Sequence, residues 1–412
     1  MPNPLFQKHI LLGVTGSIAC YKSADLASKL RQAGAEVETI LTASAQQFIT
    51  PITFQSVTGR RAFVDTDLWG AAGHVIHVGL AESADLMVIA PATANTLAKL
   101  AHGQADNLLT ITALAARCPL LIAPAMDGGM WENSATQANV QLLKARGVTF
   151  LGPVAGHLAS GLRGVGRMAE PGDLLGQIRL HFARRGPLKG YKIVVTAGGT
   201  QEPIDPVRVI TNRSSGKQGY AVAQAALDLG AEVDLITSAP HLPVPVGANV
   251  ISVKTAGEML EAVLAAIMDS AALVMAAAVA DFRPSHPADQ KIKKENTIPP
   301  IILERNPDIL QTVGFLKHNH QYRGLTIGFA AESQDVLQNA TTKIKSKKLD
   351  MIVANDISAP ATGFEVDTNQ VTLLFPDGQQ DALPLMSKAD VADRVLWEIM
   401  RMMGLEKHQT SE

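Results

Sequence analysis

Residues 192–219, KIVVTAGGTQEPIDPVRVITNRSSGKQG, decide the fold, because they open a second α/β unit near the middle of the chain. Ile193, Val194 and Val195 form a short β-branched apolar run of the kind buried in parallel sheets, and residues 196–200, TAGGT, follow as a turn. Gly198 and Gly199 let backbone N–H groups approach an anion closely. Residues 212–219, NRSSGKQG, then offer amide, guanidinium, hydroxyl and ammonium groups just ahead of an Ala-rich helical pattern at 220–229, so a helix N-terminus is expected to face the same place. The outline is that of a polyanion site. An ordinary Gly/Ser-rich loop is the competing reading, since neither the P-loop nor the GxGxxG pattern is matched.

A chain of 412 residues exceeds one ordinary core and points to two domains or three. The apolar fraction of 47% with only 4% aromatics suits alternating strands and Ala-faced helices. A net charge of −2 argues against nucleic-acid binding through a basic surface. Cys20 and Cys118 make neither a disulfide framework nor a CxxC metal pattern. No signal-like N-terminus is read, and the most apolar stretch, 271–280, is far too short to span a bilayer and is flanked by Asp269 and Asp281. The expectation is a soluble cytoplasmic protein with neither nucleic acid nor membrane as partner.

Working back to the N-terminus, residues 9–14 read as a strand, 15–17 as a turn and 18–33 as an amphipathic helix stopped at Gly34, with a second strand at 37–41. Gly13, Thr15, Gly16 and Ser17 then lie at the carboxyl end of the first strand, and Thr42 and Ser44 at the end of the next. Helix capping by Ser and Thr explains either alone; both at the strand ends of one sheet favour a ligand. A strand at 85–90 runs into Pro91-Ala92-Thr93-Ala94-Asn95, and one at 119–123 runs into residues 124–131, PAMDGGMW. His77 sits in a stretch of alternating apolar residues, where a lone histidine is more often structural than catalytic. Residues 158–168, LASGLRGVGRM, read either as a mobile flap over an anionic ligand or as a plain surface loop.

In the second half, strands are expected at 232–237, 250–253 and 273–278, a helix at 258–268, a loop at 238–246, a hairpin over 369–385 and a final helix at 388–403. The segment VADFRP, 279–284, falls where a doubly wound sheet keeps its ligands, and Asp281 there could face phosphate oxygens only through a metal, which makes it a candidate Mg²⁺ contact or else a turn cap. The run QKIKKE, 290–295, taken alone, is a solvated basic surface.

In their order along the chain, GVTGSIACYK (13–22), His77, ADLMVIAPATANTLAKLAHGQADNLL (84–109), PAMDGGMW, TAGGTQEPIDPVRVITNRSSGKQG (196–219), AAAVADFRP (276–284), KIKK (291–294), RNPDIL (305–310), GFAAES (328–333) and the Lys343/Lys347 pair before DMIVANDIS (350–358) resemble the family of bifunctional coenzyme A biosynthesis proteins, phosphopantothenoylcysteine decarboxylase fused to phosphopantothenate-cysteine ligase. The resemblance implies a flavodoxin-like three-layer decarboxylase domain over 1–189 that binds FMN and forms trimers, and a Rossmann-like doubly wound ligase domain over 190–412 that dimerises, together a homododecamer. It assigns FMN to Gly16, Ser17, Thr42, Ser44, Pro91, Ala92, Thr93 and Asn95. CTP falls to Ala277, Asp281, Lys291, Asn306, Pro307, Asp308, Ile309 and Phe329, with Lys343 and Lys347 at its triphosphate and Mg²⁺ at Asp281. Met130, Arg208, Ser214 and Ser215 become substrate contacts, and His77, Asp127, Ser160, Asn212 and Lys291 catalytic ones, with Asn212 turning over an acyl-cytidylate. The implied substrates are 4′-phosphopantothenate, cysteine and CTP.

Two positions depart from the family pattern. Asp127 stands where asparagine is usual, so it is either held neutral or crowds the substrate carboxylate with its charge. Ser160 stands where a cysteine is usual, and a hydroxyl is a far weaker acid than a thiol, so Ser160 is expected to hand on a proton from water or a second acid. These departures leave room for a ligase carrying a structural flavoprotein half. A nucleotide sensor without turnover is the rival from another class.

Overall fold

His9–Val14 (β1) is the central strand of the first half, because it is apolar and buried from Ile10 onward and so needs a strand on each side and helices on both faces. The computed structural model describes residues 3–69, 75–293, 300–332, 336–356 and 366–405; Lys294, Ser333 and residues 357–358 of the quoted motifs lie outside them. Pro2–His181 and Phe182–Glu412 form two compact units.

In the first unit β1 is followed by α1 (Cys20–Gln32), β2 (Glu36–Leu41), α2 (Pro51–Thr58), β3 (Ala62–Val64), α3 (Ile76–Ser83), β4 (Leu86–Ala92), α4 (Ala94–His102), α5 (Leu108–Ala115), β5 (Leu120–Pro124), α6 (Gly128–Glu132), α7 (Ser134–Ala145) and β6 (Thr149–Phe150). The strands form one parallel sheet ordered β3-β2-β1-β4-β5-β6. Without the three-residue edge strand β3, the remaining order is that of a flavodoxin-like sheet, with its switch point between β1 and β4. Residues of β1, β2, β4 and β5 share one core with α4, α5 and α7. Then come β7 (Val154–His157), β8 (Arg163–Arg167) and α8 (Pro171–Ala183). The expected flap at 158–168 is thus the tip and second strand of an antiparallel hairpin, closed by Leu158 N–H to Leu162 C=O at 2.9 Å with Gly161 at φ +83°. Its glycines had hidden the strand pattern. His77, in its stretch of alternating apolar residues, lies on α3.

The second unit runs β9 (Lys192–Ala197), β10 (Gln201–Pro203), β11 (Val209–Thr211), α9 (Lys217–Asp228), β12 (Glu232–Thr237), β13 (Asn249–Ser252), α10 (Ala256–Ala266), β14 (Ala272–Met275), β15 (Phe282–Pro284), β16 (Leu303–Arg305), α11 (Ile309–His318), β17 (Leu325–Glu332), α12 (Val336–Lys347), β18 (Met351–Asp356), β19 (Thr368–Asn369), β20 (Val371–Leu374), β21 (Gln380–Ala382), β22 (Met386–Ser387) and α13 (Lys388–Met402). Its main sheet is ordered β13-β12-β9-β14-β17-β18-β20-β21, the first six parallel and the hairpin β20/β21 antiparallel. Numbered by themselves, the six parallel strands run 3-2-1-4-5-6, the Rossmann-like order, with the switch point between β9 and β14. Helices α9 and α13 cover one face, and α10 and α11 the other. The strand expected over 273–278 stops at Met275, because residues 277–280 leave the sheet to bond the end of β9. Among the described residues no helix is long and apolar enough to cross a membrane.

Candidate active sites

At the switch point of the first unit, one buried threonine joins two strand ends. Thr15 Oγ1 donates to Pro91 C=O at 2.8 Å and accepts from Thr93 N–H at 3.1 Å, while the Thr15 amide also donates to Pro91 C=O. Thr93 in turn caps α4 by accepting from Thr96 N–H at 3.3 Å. A Cβ on Gly16 would overlap Ser44, so the two strand-end turns that the sequence suggested separately are in contact, and only glycine allows it. Thr42 Oγ1 accepts from Ala45 N–H at 3.3 Å and so supports that turn.

Beside this point lies a cleft of about 1270 Å³ including its open mouth, lined by Gly16, Ser17, Thr93, Asp127, Met130, Ser160 and the β8 residues Gly166 and Arg167 among others. Thr42, Ser44, Pro91, Ala92 and Asn95 stand behind or beside the strand ends and do not line it. Neither does His77, whose Nδ1 is buried without a hydrogen-bond partner. Lys22, 4% exposed, spans from α1 to Met168 C=O at 3.0 Å and Glu170 at 2.9 Å, which ties the base of the hairpin to α1.

The two departures from the family pattern meet in this cleft. Ser160 Oγ donates to Asp127 Oδ2 at 2.6 Å, and Gly129 N–H donates to Asp127 Oδ1 at 3.0 Å. The Ser160 bond foremost, then the Gly129 bond, holds the Asp127 carboxyl below its ordinary range. Of the two states open to Asp127, the ionised one is therefore favoured, since the side chain is only half-buried and burial opposes charge less than the two bonds support it. With its hydroxyl proton turned to the carboxylate, Ser160 is oriented by a residue 33 positions away.

In the second unit, Thr196 and Thr200, both fully buried, play the part that Thr15 plays in the first. Thr196 Oγ1 accepts from Ala277 N–H at 3.1 Å and Thr200 Oγ1 from Ala280 N–H at 2.9 Å. Gly199 lets Asn212 pass close by, and Asn212 Nδ2 donates to Val279 C=O at 3.0 Å, bringing it to the same strand ends. One cleft here, about 1460 Å³ with its mouth, gathers Ala277, Asp281, Asn306, Pro307, Asp308, Ile309, Phe329 and Lys347. Asp308 caps α11 through Gln311 N–H at 3.0 Å and pairs with Lys347 at 2.7 Å. Asn306 donates through Nδ2 to Ala280 C=O at 2.9 Å, so its Oδ1, buried and without a partner, is left over. The Asp281 carboxylate makes no bond among the described residues, and no group of three His, Cys, Asp or Glu side chains that could hold a metal occurs among them.

Lys343 lies one turn before Lys347 on α12 and does not line the cleft. Lys291, also outside it, is exposed on a segment anchored to the 205–208 turn: Ile292 N–H donates to Asp205 at 3.2 Å and Arg208 donates to Ile292 C=O at 3.0 Å. Asp205 was not singled out from the sequence. Burial works to raise its carboxyl, but N–H groups of Val207, Arg208 and Ile292 and the Arg208 guanidinium outweigh burial and hold it below the ordinary range. A second, smaller cleft of about 650 Å³ is lined by Ser214, Ser215, Gly216, Gln218, residues 276–278, Phe329, Ala330, Asn355, Asn369 and Lys388.

Comparison with known proteins agrees with this division. A flavoprotein family model matches residues 2–182, and a model of the DNA/pantothenate metabolism flavoprotein C-terminal domain matches residues 188–403. The coenzyme A biosynthesis bifunctional protein CoaBC of Vibrio vulnificus strain YJ016 is 45% identical over 399 residues, covering 96% of this chain and 98% of the relative. The protein of the same name from Bacillus subtilis strain 168 is 44% identical over 398 residues, covering 96% and 97%. A solved C-terminal domain of a CoaBC protein aligns over 54% of this chain and 100% of its own, at 40% identity and a TM-score of 0.46.

Proposed function

The chain belongs to the family of bifunctional coenzyme A biosynthesis proteins, and on that premise we propose that residues 190–412 join cysteine to 4′-phosphopantothenate with CTP, and that residues 1–189 decarboxylate the product to 4′-phosphopantetheine. The observation that carries the reading is the cleft in which motif residues from Ala277 to Lys347 meet beside the unpartnered Asn306 Oδ1. An amide oxygen there accepts from the exocyclic amine of cytosine and finds no donor at that position on uracil.

In the ligase, a carboxylate oxygen of 4′-phosphopantothenate attacks the α-phosphorus of CTP, the bond to pyrophosphate breaks, and an acyl-cytidylate remains. The cysteine nitrogen then forms the amide as the C–O bond breaks and CMP leaves with its electron pair, the surplus amine proton passing to water. Lys343, Lys347 and Lys291 neutralise charge on the phosphate oxygens, and Arg208, beside Lys291, holds the acid substrate. Asn212, held to Val279, faces the acyl carbonyl. The described carboxylates do not form a resident metal site, so Mg²⁺ arrives on the triphosphate with Asp281 as a single protein contact.

The first unit's cleft suits FMN: Gly16, Ser17 and Thr93 line it, and Ser17, Thr93 and nearby backbone N–H groups would supply donors to a phosphate. FMN held there would supply the oxidation at the cysteine-derived carbon and sulfur that lets CO₂ leave, and the reduction that follows. Asp127 holds its negative charge beside the departing carboxylate, Met130 packs on the substrate, and Ser160 passes a proton inward from water. His77 stands outside its own chain's cleft, and Ile18 and Tyr21 at that cleft are more than 60% exposed, which supports completion of the site in a homo-oligomer, the dodecamer implied by the family. The proposed location is the cytoplasm.

A mass-spectrometric time course with 4′-phosphopantothenate, cysteine, CTP and Mg²⁺ tests the reading. Pyrophosphate and CMP are expected first, then a product lighter by CO₂, with CTP preferred to UTP. A colourless protein that releases no pyrophosphate overturns it.

A further inference from the structure

Lys388 is 8% exposed and is the first residue of helix α13, whose N-terminal end disfavours a nearby cation. It lines the smaller cleft together with Gly216, which precedes Lys217 and the N-terminus of α9. Two helix N-termini and two lysines therefore converge. Lys217 is paired with Asp367 at 2.6 Å, and Asp367 is 84% exposed. Burial first, and then the nearby Lys217, push the Lys388 ammonium below the ordinary lysine range despite Asp367, so an anion entering the cleft is favoured.

The cleft also lacks a donor. Asn369 is 4% exposed; its Nδ2 faces Gln218 Oε1 at 3.5 Å, and its Oδ1 is buried without a partner. Gln218 fixes both neighbours, since its own Nε2 donates to Lys388 C=O at 3.0 Å. The remaining wall is small and apolar, residues 276–278 and Phe329, and Ala277 and Phe329 are shared with the larger cleft. One compartment thus offers a cation, an unused acceptor and an apolar pocket, next to the place where the activated acyl group forms.

We propose that the compartment between α9 and α13 is the amino-acid subsite of the ligase, with Lys388 receiving the α-carboxylate of cysteine, Asn369 Oδ1 accepting from its amine, and the thiol lying against residues 276–278 and Phe329. This rests on the ligase reading above. With one N–H held by Asn369, the lone pair of the neutral amine turns toward the acyl-cytidylate across Ala277. A phosphate of either substrate is the other anion that Lys388 could receive, and the experiment separates the two.

Full-length wild type, Lys388→Met, Lys388→Arg and Asn369→Leu are each assayed twice: for pyrophosphate release and acyl-cytidylate formation without cysteine, and for amide formation against cysteine and cysteamine, which lacks the carboxylate. Loss of one charged hydrogen bond predicts a KM for cysteine raised about tenfold or more in Lys388→Met. The KM for cysteamine should stay within about twofold of wild type, so that the preference for cysteine collapses. Lys388→Arg should restore most of that preference, and Asn369→Leu should weaken both amines alike. Slower pyrophosphate release, or a higher KM for CTP or 4′-phosphopantothenate, with the cysteine KM unchanged, makes Lys388 a phosphate contact and overturns the proposal. A wild type that releases no pyrophosphate refutes the ligase reading itself.

Discussion

Replacing Thr15 by valine keeps its shape and removes one hydroxyl from the switch point of the first unit. In the wild type that hydroxyl is 1% exposed with its residue, donates to Pro91 C=O at 2.8 Å and accepts from Thr93 N–H at 3.1 Å. Pro91 C=O keeps a second donor, the Thr15 amide at 3.3 Å, so its loss is partial. Thr93 N–H keeps none. A donor left unpaired costs up to about 1–3 kcal/mol, less where it is only part-buried as here, and the weakened acceptor adds to it, so the substitution should destabilise the first unit by up to about 2 kcal/mol. At roughly 2–4 °C per kcal/mol for a unit of this size, its Tm should fall by up to about 4–8 °C. Because Thr93 both caps α4 and lines the cleft, bound flavin should also dissociate faster. Thermal unfolding of the full chain, followed by circular dichroism and by flavin fluorescence, reads both effects, with Thr15→Ser as the control that keeps the hydroxyl. A valine variant whose Tm stays within about 1 °C of wild type and whose flavin release is unchanged would refute the role of this bridge.

Lys291→Gln should lower amide formation at least about a hundredfold while flavin content and CO₂ release from supplied 4′-phosphopantothenoylcysteine persist; near wild-type ligation by product mass would remove Lys291 from the reaction. Asp127→Asn keeps an acceptor for Gly129 N–H and turns its NH2 toward Ser160 Oγ, which can accept in place of donating, so decarboxylation should stay within about tenfold of wild type. Ser160→Ala removes the proton path but not the carboxylate charge, so CO₂ release should continue while the stopped-flow return of flavin absorbance slows; an unchanged return points to another donor. Asp205 has a folded pKa below its unfolded value of about 3.9, so the stability it contributes is complete above that pH and is lost as pH falls through the folded value. Asp205→Asn should therefore destabilise the second unit at pH 7 and progressively less below about pH 4, as urea unfolding at the two pH values would measure; equal losses at both refute it.

Both sheets were legible from the sequence because buried parallel strands are continuous apolar runs bounded by turns. The runs at 9–14 and 193–195 reappear as β1 and β9, and the alternating stretch 232–237 as β12. The hairpin at 369–385 was legible for a related reason, a Pro-Asp-Gly turn between two strand-like runs. Motif order identified the family, and the strand-end positions of Gly16, Ser17 and Asp281 followed from topology. Where glycine dominates, local composition misleads: residues 158–168 fold into a hairpin because β8 pairs with β7, a partnership that no local propensity records. Long-range pairing decided the rest. Ser160 meets Asp127, Asp205 reaches Ile292, and Asn369 and Lys388 are joined by Gln218 across about 150 positions or more. Such pairs depend on which strand lies beside which and on the register between them. A lysine that opens a helix reads as solvated surface until packing of α13 against α9 buries it. Charge and hydrogen-bonding capacity are therefore properties of the sequence, but whether they are neutralised, satisfied or left open to a ligand is decided by desolvation and by partners, which exist only once the chain has folded.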